Sequence, residues 1–153
     1  MSTDLLNSDL QARIERLEDL EAIKHLKALY CEICDDDHNP DRIVQIFTED
    51  CVWEGAGIGR AEGHSGLRTL FEGFQKAMSF SQHMAMNPRI ELDGSTARAT
   101  WDFLGPFTFR VPDSPSGKTR WQVARYVEEY AKVDGAWKIH RLNVSGRVVR
   151  ERG

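Results

Sequence analysis

Near Phe80 the apolar residues of this chain change their period, and that change decides the class of fold open to it. Upstream, Ile14, Leu17, Leu20, Ile23, Leu26, Tyr30 and Ile33 recur at spacings of three and four, one stripe of an amphipathic helix that runs to about Cys34. Asn39 followed by Pro40 and Asp41 predicts the capped start of a short second helix, with Ile43, Val44, Ile46 and Phe47 on its buried side. "CVWEGAGI" reads as a strand and turn, and Ser65 as the cap of a third helix carrying Leu67, Leu70, Phe71 and Phe74. Downstream come four strand-like segments, "HMAMNPRIEL", "TARATWDFL", "RWQVARYVEEYAKV" and "AWKIHRLNVSG". Turns at Asp93-Gly94 and Asp134-Gly135, and the proline-bearing "GPFTFRVPDSPSGK", separate them. The proline segment is expected to form a long hairpin tip, with a flap over a pocket as the alternative. Helices first and an antiparallel meander second make a single α+β domain over residues 1–153, with its core within about 14–146.

Charge narrows the partners. A net charge of -4, with the basic residues dispersed, offers no footprint for a nucleic-acid backbone. The polar start "MSTDLLNSDLQARIERLEDLE" has neither an apolar leader core nor a membrane-spanning run, so a cytoplasmic protein without a membrane partner is expected. Cys31, Cys34 and Cys51 read as packed thiols in a reducing compartment, for the C-x-x-C pair has no second pair to complete a metal site. In the late strands both alternating faces are apolar, with Trp121, Val123 and Val127 on one and Ala124, Tyr126 and Tyr130 on the other. A sheet with one wet face alternates more cleanly, so a homo-oligomer that covers the second face is expected.

No phosphate loop, nucleophile elbow or zinc-protease motif is present, which leaves acid-base groups. Histidine suits that work because its ordinary pKa, about 6.5, lies near working pH. Of the five histidines, His25, His38, His64 and His140 sit in polar or capping contexts. His83 lies in "FSQHMAMNPRI", where alternation places it on one face with Ser81, Ala85 and Asn87.

Three segments carry a resemblance. "DLEAIKHLKALYCEICDDD", "SQHMAMNPRI" and "EEYAKVDGAWKI" occur in the order and separation found in SnoaL-like proteins of the nuclear transport factor 2-like superfamily, and most resemble the bile acid 7α-dehydratase. The resemblance covers about residues 17–142. It implies a cone-shaped α+β barrel, in which a curved sheet wraps the N-terminal helices around an apolar pocket. It implies an oligomer, with a trimer favoured and a dimer the alternative. By position, Tyr30, Asp35 and His83 are implied as pocket residues, and Asp35 with His83 matches the catalytic pair of hexachlorocyclohexane dehydrochlorinase. Trp53 looks like a tryptophan lining that enzyme's site, and Asn87, Trp101 and Arg125 complete the expected substrate contacts.

The match also departs from the family. Gly105 stands where the bile acid enzyme has a second catalytic aspartate, and Asp102 is the nearest acid. On an uninterrupted helix Tyr30 and Asp35 diverge by about 140°, so both serve one pocket only if the helix ends near Cys34. The expected activity is a metal-free, cofactor-independent lyase of the dehydratase type. His83 would remove a proton next to a carbonyl of a small apolar cyclic substrate (steroid-, polyketide- or aromatic-like), Asp35 would orient it, and Tyr30 would donate a hydrogen bond. A ketosteroid-type isomerase and a non-enzymatic ligand-binding domain are the alternatives. A metal site built from "DDDH" has no second cluster in the sequence to complete it.

Overall fold

A computed structural model describes residues 3–147. The first helix, α1, is longer than the periodicity predicts and spans Thr3–Asp35. Its second half packs into the domain through Ile23, Leu26, Tyr30, Ile33 and Cys34, whereas Leu5, Leu6, Leu10, Ile14 and Leu17 stay exposed on the first half. The short α2 (Pro40–Ile43) starts as expected. Asn39 caps it by accepting the Asp41 and Arg42 backbone N–H groups, and a 3₁₀ turn, Val44–Ile46, follows.

The strands are β1 (Phe47–Gly55), β2 (Gly59–Glu62), β3 (Met78–Ser81), β4 (Met84–Asp93), β5 (Thr96–Val111), β6 (Ser114–Val133) and β7 (Ala136–Gly146), with α3 (Gly63–Ala77) between β2 and β3. The third helix departs from the expected cap. It starts at Gly63 with Glu62 in the cap position, and Ser65 lies within its first turn. Gly63 has φ +66°, a conformation that favours glycine, and it turns the chain out of β2 two residues before Ser65 could cap anything.

The seven strands form one sheet in the order β2-β1-β7-β6-β5-β3, antiparallel throughout except for β1 beside β7. β4 shares the outer edge of β5 with β3: β3 pairs with Phe107–Phe109, and β4 with the half from Thr96 to Leu104. The proline segment is a hairpin tip, as the favoured reading has it. β5 and β6 run on in register past Pro106, which pairs with Trp121, and reverse at Pro112-Asp113. The resulting strongly curled half-barrel of α+β class holds α1 and α3 in its hollow. Phe103, Phe107, Ala124 and Tyr126 point inward from β5 and β6 and are buried. Among the described residues no helix is long and apolar enough to cross a membrane.

Candidate active site

"FSQHMAMNPRI" is not one strand. β3 ends at Ser81 and β4 begins at Met84, so Gln82 and His83 form a two-residue break in the edge. The break turns His83 into the hollow of the sheet. There its ring lies 5.3 Å from Phe103 and 5.0 Å from Phe107, centroid to centroid, with the side chain 6 % exposed.

Asp35 stands behind it. Four groups donate to this carboxylate: the Ser81 hydroxyl (3.2 Å), the Gln82 side-chain amide (3.1 Å), the His83 backbone N–H (2.9 and 3.0 Å) and His83 Nδ1 (2.7 Å). A carboxylate can only accept, so Nδ1 donates, and in the neutral ring the lone pair is then on Nε2.

Both Tyr30 and Asp35 lie within α1, so the 140° divergence stands: Asp35 is not among the residues that line the cavity and reaches His83 from behind. Tyr30, five residues back, meets the other side of the His83 ring edge-on at 6.5 Å. Its oxygen accepts from Trp53 Nε1 at 3.1 Å, and burial pushes its phenol well above the usual range, so it remains an O–H donor.

These groups open on a cavity of about 1130 Å3. Tyr30, Trp53 and His83 line it, together with Phe74, Phe103 and Tyr126. The volume lies at the upper end for small-molecule pockets, which run to roughly 300–1,000 Å3.

Three expected substrate contacts are not brought to this cavity. Asn87 lies within a bulge between Met86 and Arg89, has φ +53°, and donates to Asp102 at 3.0 Å. Arg125 donates to the same carboxylate from Nη2 at 2.9 Å. Phe103 points into the hollow, so by strand alternation Asp102 and its cross-strand partner Arg125 point out of it. Asp102 therefore does not substitute for the missing acid. Trp101 is buried deeper in the core, where its indole N–H donates to Tyr130.

At Gly105 the chain has no room for a side chain. A Cβ there would sit 2.0 Å from the Gln82 carbonyl oxygen.

His38 belongs to a polar run in the sequence, yet the structure places it in the cavity wall. Asp37 and His38 both adopt left-handed backbone (φ 51° and 49°), and the His38 and Asn39 N–H groups bond back to the carbonyls of Cys34 and Ile33. This reversal folds the His38 ring under Phe71 and Phe74, 5.8 Å from His83, with 5 % exposure. Burial, aided by the neighbouring His83, holds its pKa down at about 4, so the ring is neutral near pH 7. No described residue makes a hydrogen bond to its ring, and neither ring nitrogen is sealed from the cavity. The available signal was the Asn39-Pro40 cap, which demands a tight reversal just before it.

Residues 15–143 match the model of the SnoaL-like domain. The chain belongs to this family. No curated protein matches it. Among solved structures, one from Novosphingobium aromaticivorans named as an aromatic ring hydroxylase is 26% identical, with a TM-score of 0.78 over 87% of this chain and 92% of that one. The type-3 hexachlorocyclohexane dehydrochlorinase of Novosphingobium barchaimii is 23% identical, with a TM-score of 0.78 over 89% and 91%. A Novosphingobium aromaticivorans protein named as a scytalone dehydratase is 22% identical, with a TM-score of 0.76 over 90% and 90%. At those levels the last two establish the nuclear transport factor 2-like fold of this SnoaL-like domain.

Proposed function

We propose that this SnoaL-like domain is a lyase of the dehydratase type acting on an apolar cyclic ketone with a leaving group β to the carbonyl. The observation that carries the reading is the Asp35–His83 pair at the wall of an aromatic cavity, in which Asp35 engages Nδ1 and, in the neutral ring, leaves Nε2 to accept a proton. Nε2 takes the proton from the carbon next to the carbonyl, and the electron pair moves onto the carbonyl oxygen. Asp35 balances the imidazolium that forms. Tyr30 donates to the enolate oxygen, the kind of placed donor that stabilises charge as it develops. Collapse of the enolate forms the double bond and expels the β substituent. A leaving hydroxyl takes the proton back from Nε2 and departs as water.

Proton exchange tests the shared first step without knowledge of the natural leaving group. A panel of cyclohexanones, decalones and 3-ketosteroids, with and without a β-hydroxyl, is incubated with the protein in D2O and followed by NMR. Deuterium should enter next to the carbonyl, the β-hydroxy members should lose water, and His83→Ala should abolish both. Exchange with a migrating double bond and no water loss would instead identify an isomerase. Ligand binding without exchange across the panel would identify a binding module and sink the catalytic reading.

A further inference from the structure

Cys34 Sγ, a ring nitrogen of His38 and a ring nitrogen of His83 lie within 4.8 Å of one another. They are the one such group of metal-ligating side chains among the described residues, and all three line the cavity. We propose that Cys34, His38 and His83 bind a zinc-class divalent ion, with its fourth position open to the cavity.

The geometry is close to what the ion needs. Bonds of about 2.3 Å to sulfur and 2.0–2.1 Å to nitrogen in a tetrahedron place the ligand atoms about 3.4–3.6 Å apart. The cluster must therefore contract by little more than 1 Å. His38 supplies that movement, since no hydrogen bond to a described residue holds its ring. His83 is already oriented: Asp35 occupies Nδ1 at 2.7 Å, which leaves Nε2 for the ion. A carboxylate behind a ligating imidazole is the usual outer partner of a zinc-bound histidine, fixing its tautomer and raising its basicity.

The ligand set selects the ion. One sulfur and two imidazole nitrogens suit zinc and cobalt, and they do not suit magnesium or calcium, which take oxygen ligands. In the metal-free chain Cys34 is a thiol, because burial pushes its pKa well up. Binding therefore releases the thiol proton to solvent as the sulfur–metal bond forms.

The ion and the proposed base need the same atom. If His83 Nε2 abstracts the substrate proton, an ion bound there stops abstraction; this consequence rests on the catalytic reading above, whereas the binding does not.

Cobalt(II) titration of the tag-free, chelator-treated chain, read by absorption, tests the binding independently of turnover. One equivalent per chain should give the visible bands of a four-coordinate ion and a near-ultraviolet thiolate-to-cobalt band. Cys34→Ser should remove the thiolate band. His38→Ala should weaken binding by at least about tenfold, and Asp35→Asn by about 10–100-fold, the usual cost of losing an outer partner. Cys51→Ser and His25→Ala should change neither band. If Cys34→Ser does not fold, His38→Ala decides the question. Absence of a thiolate band in the parent chain, its survival in Cys34→Ser, or full-affinity binding in His38→Ala overturns the site. In the exchange assay zinc should inhibit the parent chain; inhibition without the cobalt signature would come from another site and would not support this one.

Discussion

Asp35 holds His83 at two points, accepting both its backbone N–H at 2.9 and 3.0 Å and its ring Nδ1 at 2.7 Å. The carboxylate thus sets the path of the β3–β4 break as well as the tautomer of the ring. An asparagine would keep a carbonyl acceptor for the backbone but can turn its NH2 toward Nδ1, which places the ring proton on Nε2. Asp35→Asn is therefore expected to lower the rate of substrate α-proton exchange by about 10⁴-fold, as loss of the correct tautomer does in a catalytic triad. Thermal unfolding should move far less than activity does. A rate loss below tenfold in the folded variant would remove Asp35 from the mechanism.

Gly105 packs directly against the segment that carries His83. Its missing Cβ would lie 2.0 Å from the Gln82 carbonyl, and the Gln82 N–H donates to Pro106 at 3.1 Å. A side chain there must push the segment that carries His83. Overpacking costs 1–3 kcal/mol in general, and the obstacle here is backbone, so Gly105→Ala is expected at the upper end, about 3 kcal/mol. For a chain of this size the melting temperature should fall by about 6–12 °C. Unchanged melting would mean that the edge yields freely.

Periodicity made the helices, the strands and the hairpin legible, because each buries one side and burial leaves a period. It also led to His83, once the resemblance singled that histidine out. What escaped were features that depend on chain reversal and depth. His38 enters the cavity only because residues 37 and 38 are both left-handed, and an acidic run gives no sign of that. Asn87 was placed with His83 by alternation, but the break at Gln82–His83 and the bulge after Met86 cancel the count. Trp101 has the same inward parity as Phe103 but lies at another level of the sheet, and depth has no period.

Lys27 and Glu128 form a buried ion pair that composition gave no reason to expect. Nζ lies 2.5 Å from the carboxylate and 3.3 Å from the centroid of the Tyr126 ring, and the two side chains are 1 % and 0 % exposed. Glu128 also accepts from the Tyr130 hydroxyl, which in turn accepts from Trp101. Removing one partner of such a pair leaves an uncompensated charge and costs about 3–5 kcal/mol. Lys27→Met should lower the melting temperature by on the order of 10 °C. The double variant Lys27→Met/Glu128→Gln retains an acceptor for Tyr130 without the stranded charge, and should recover part of the loss. Equal destabilisation in both would show that packing rather than charge dominates.

Asp19 ties the middle of α1 to the far end of the sheet. Its carboxylate accepts from Lys132 Nζ and from Trp137 Nε1, each at 2.8 Å, and the Lys132 hydrogen bond holds its pKa below the ordinary 3.8. In the unfolded chain this group takes up its proton at higher pH than in the fold. Its contribution is therefore complete well above 3.8 and is lost as pH falls through the lower, folded value. Asp19→Asn should cost at most about 1 kcal/mol at neutral pH, because the pair is partly exposed. It should also flatten the acid limb of a stability-against-pH curve, measured by urea unfolding. An acid limb identical to the parent's would assign that slope to other carboxylates.

Two apolar surfaces have no cover among the described residues. On β6, Trp121 and Val127 are 66% and 50% exposed, and on the first half of α1 the row Leu6, Leu10, Ile14 and Leu17 is exposed along one stripe. Leaving such rows wet forgoes about 25 cal/mol for each Å2 that a partner would cover. We propose that a second copy of this chain covers them, as the two apolar faces of the late strands predict. Light scattering at micromolar concentration should then return a multiple of 17.5 kDa. Val127→Glu and Leu10→Glu are each expected to shift the mass toward the monomer. Neither residue lies in the folded core, so both variants should keep the parent's far-ultraviolet circular dichroism. A monomeric parent chain would sink the proposal, and a response to only one of the two substitutions would identify which surface makes the contact.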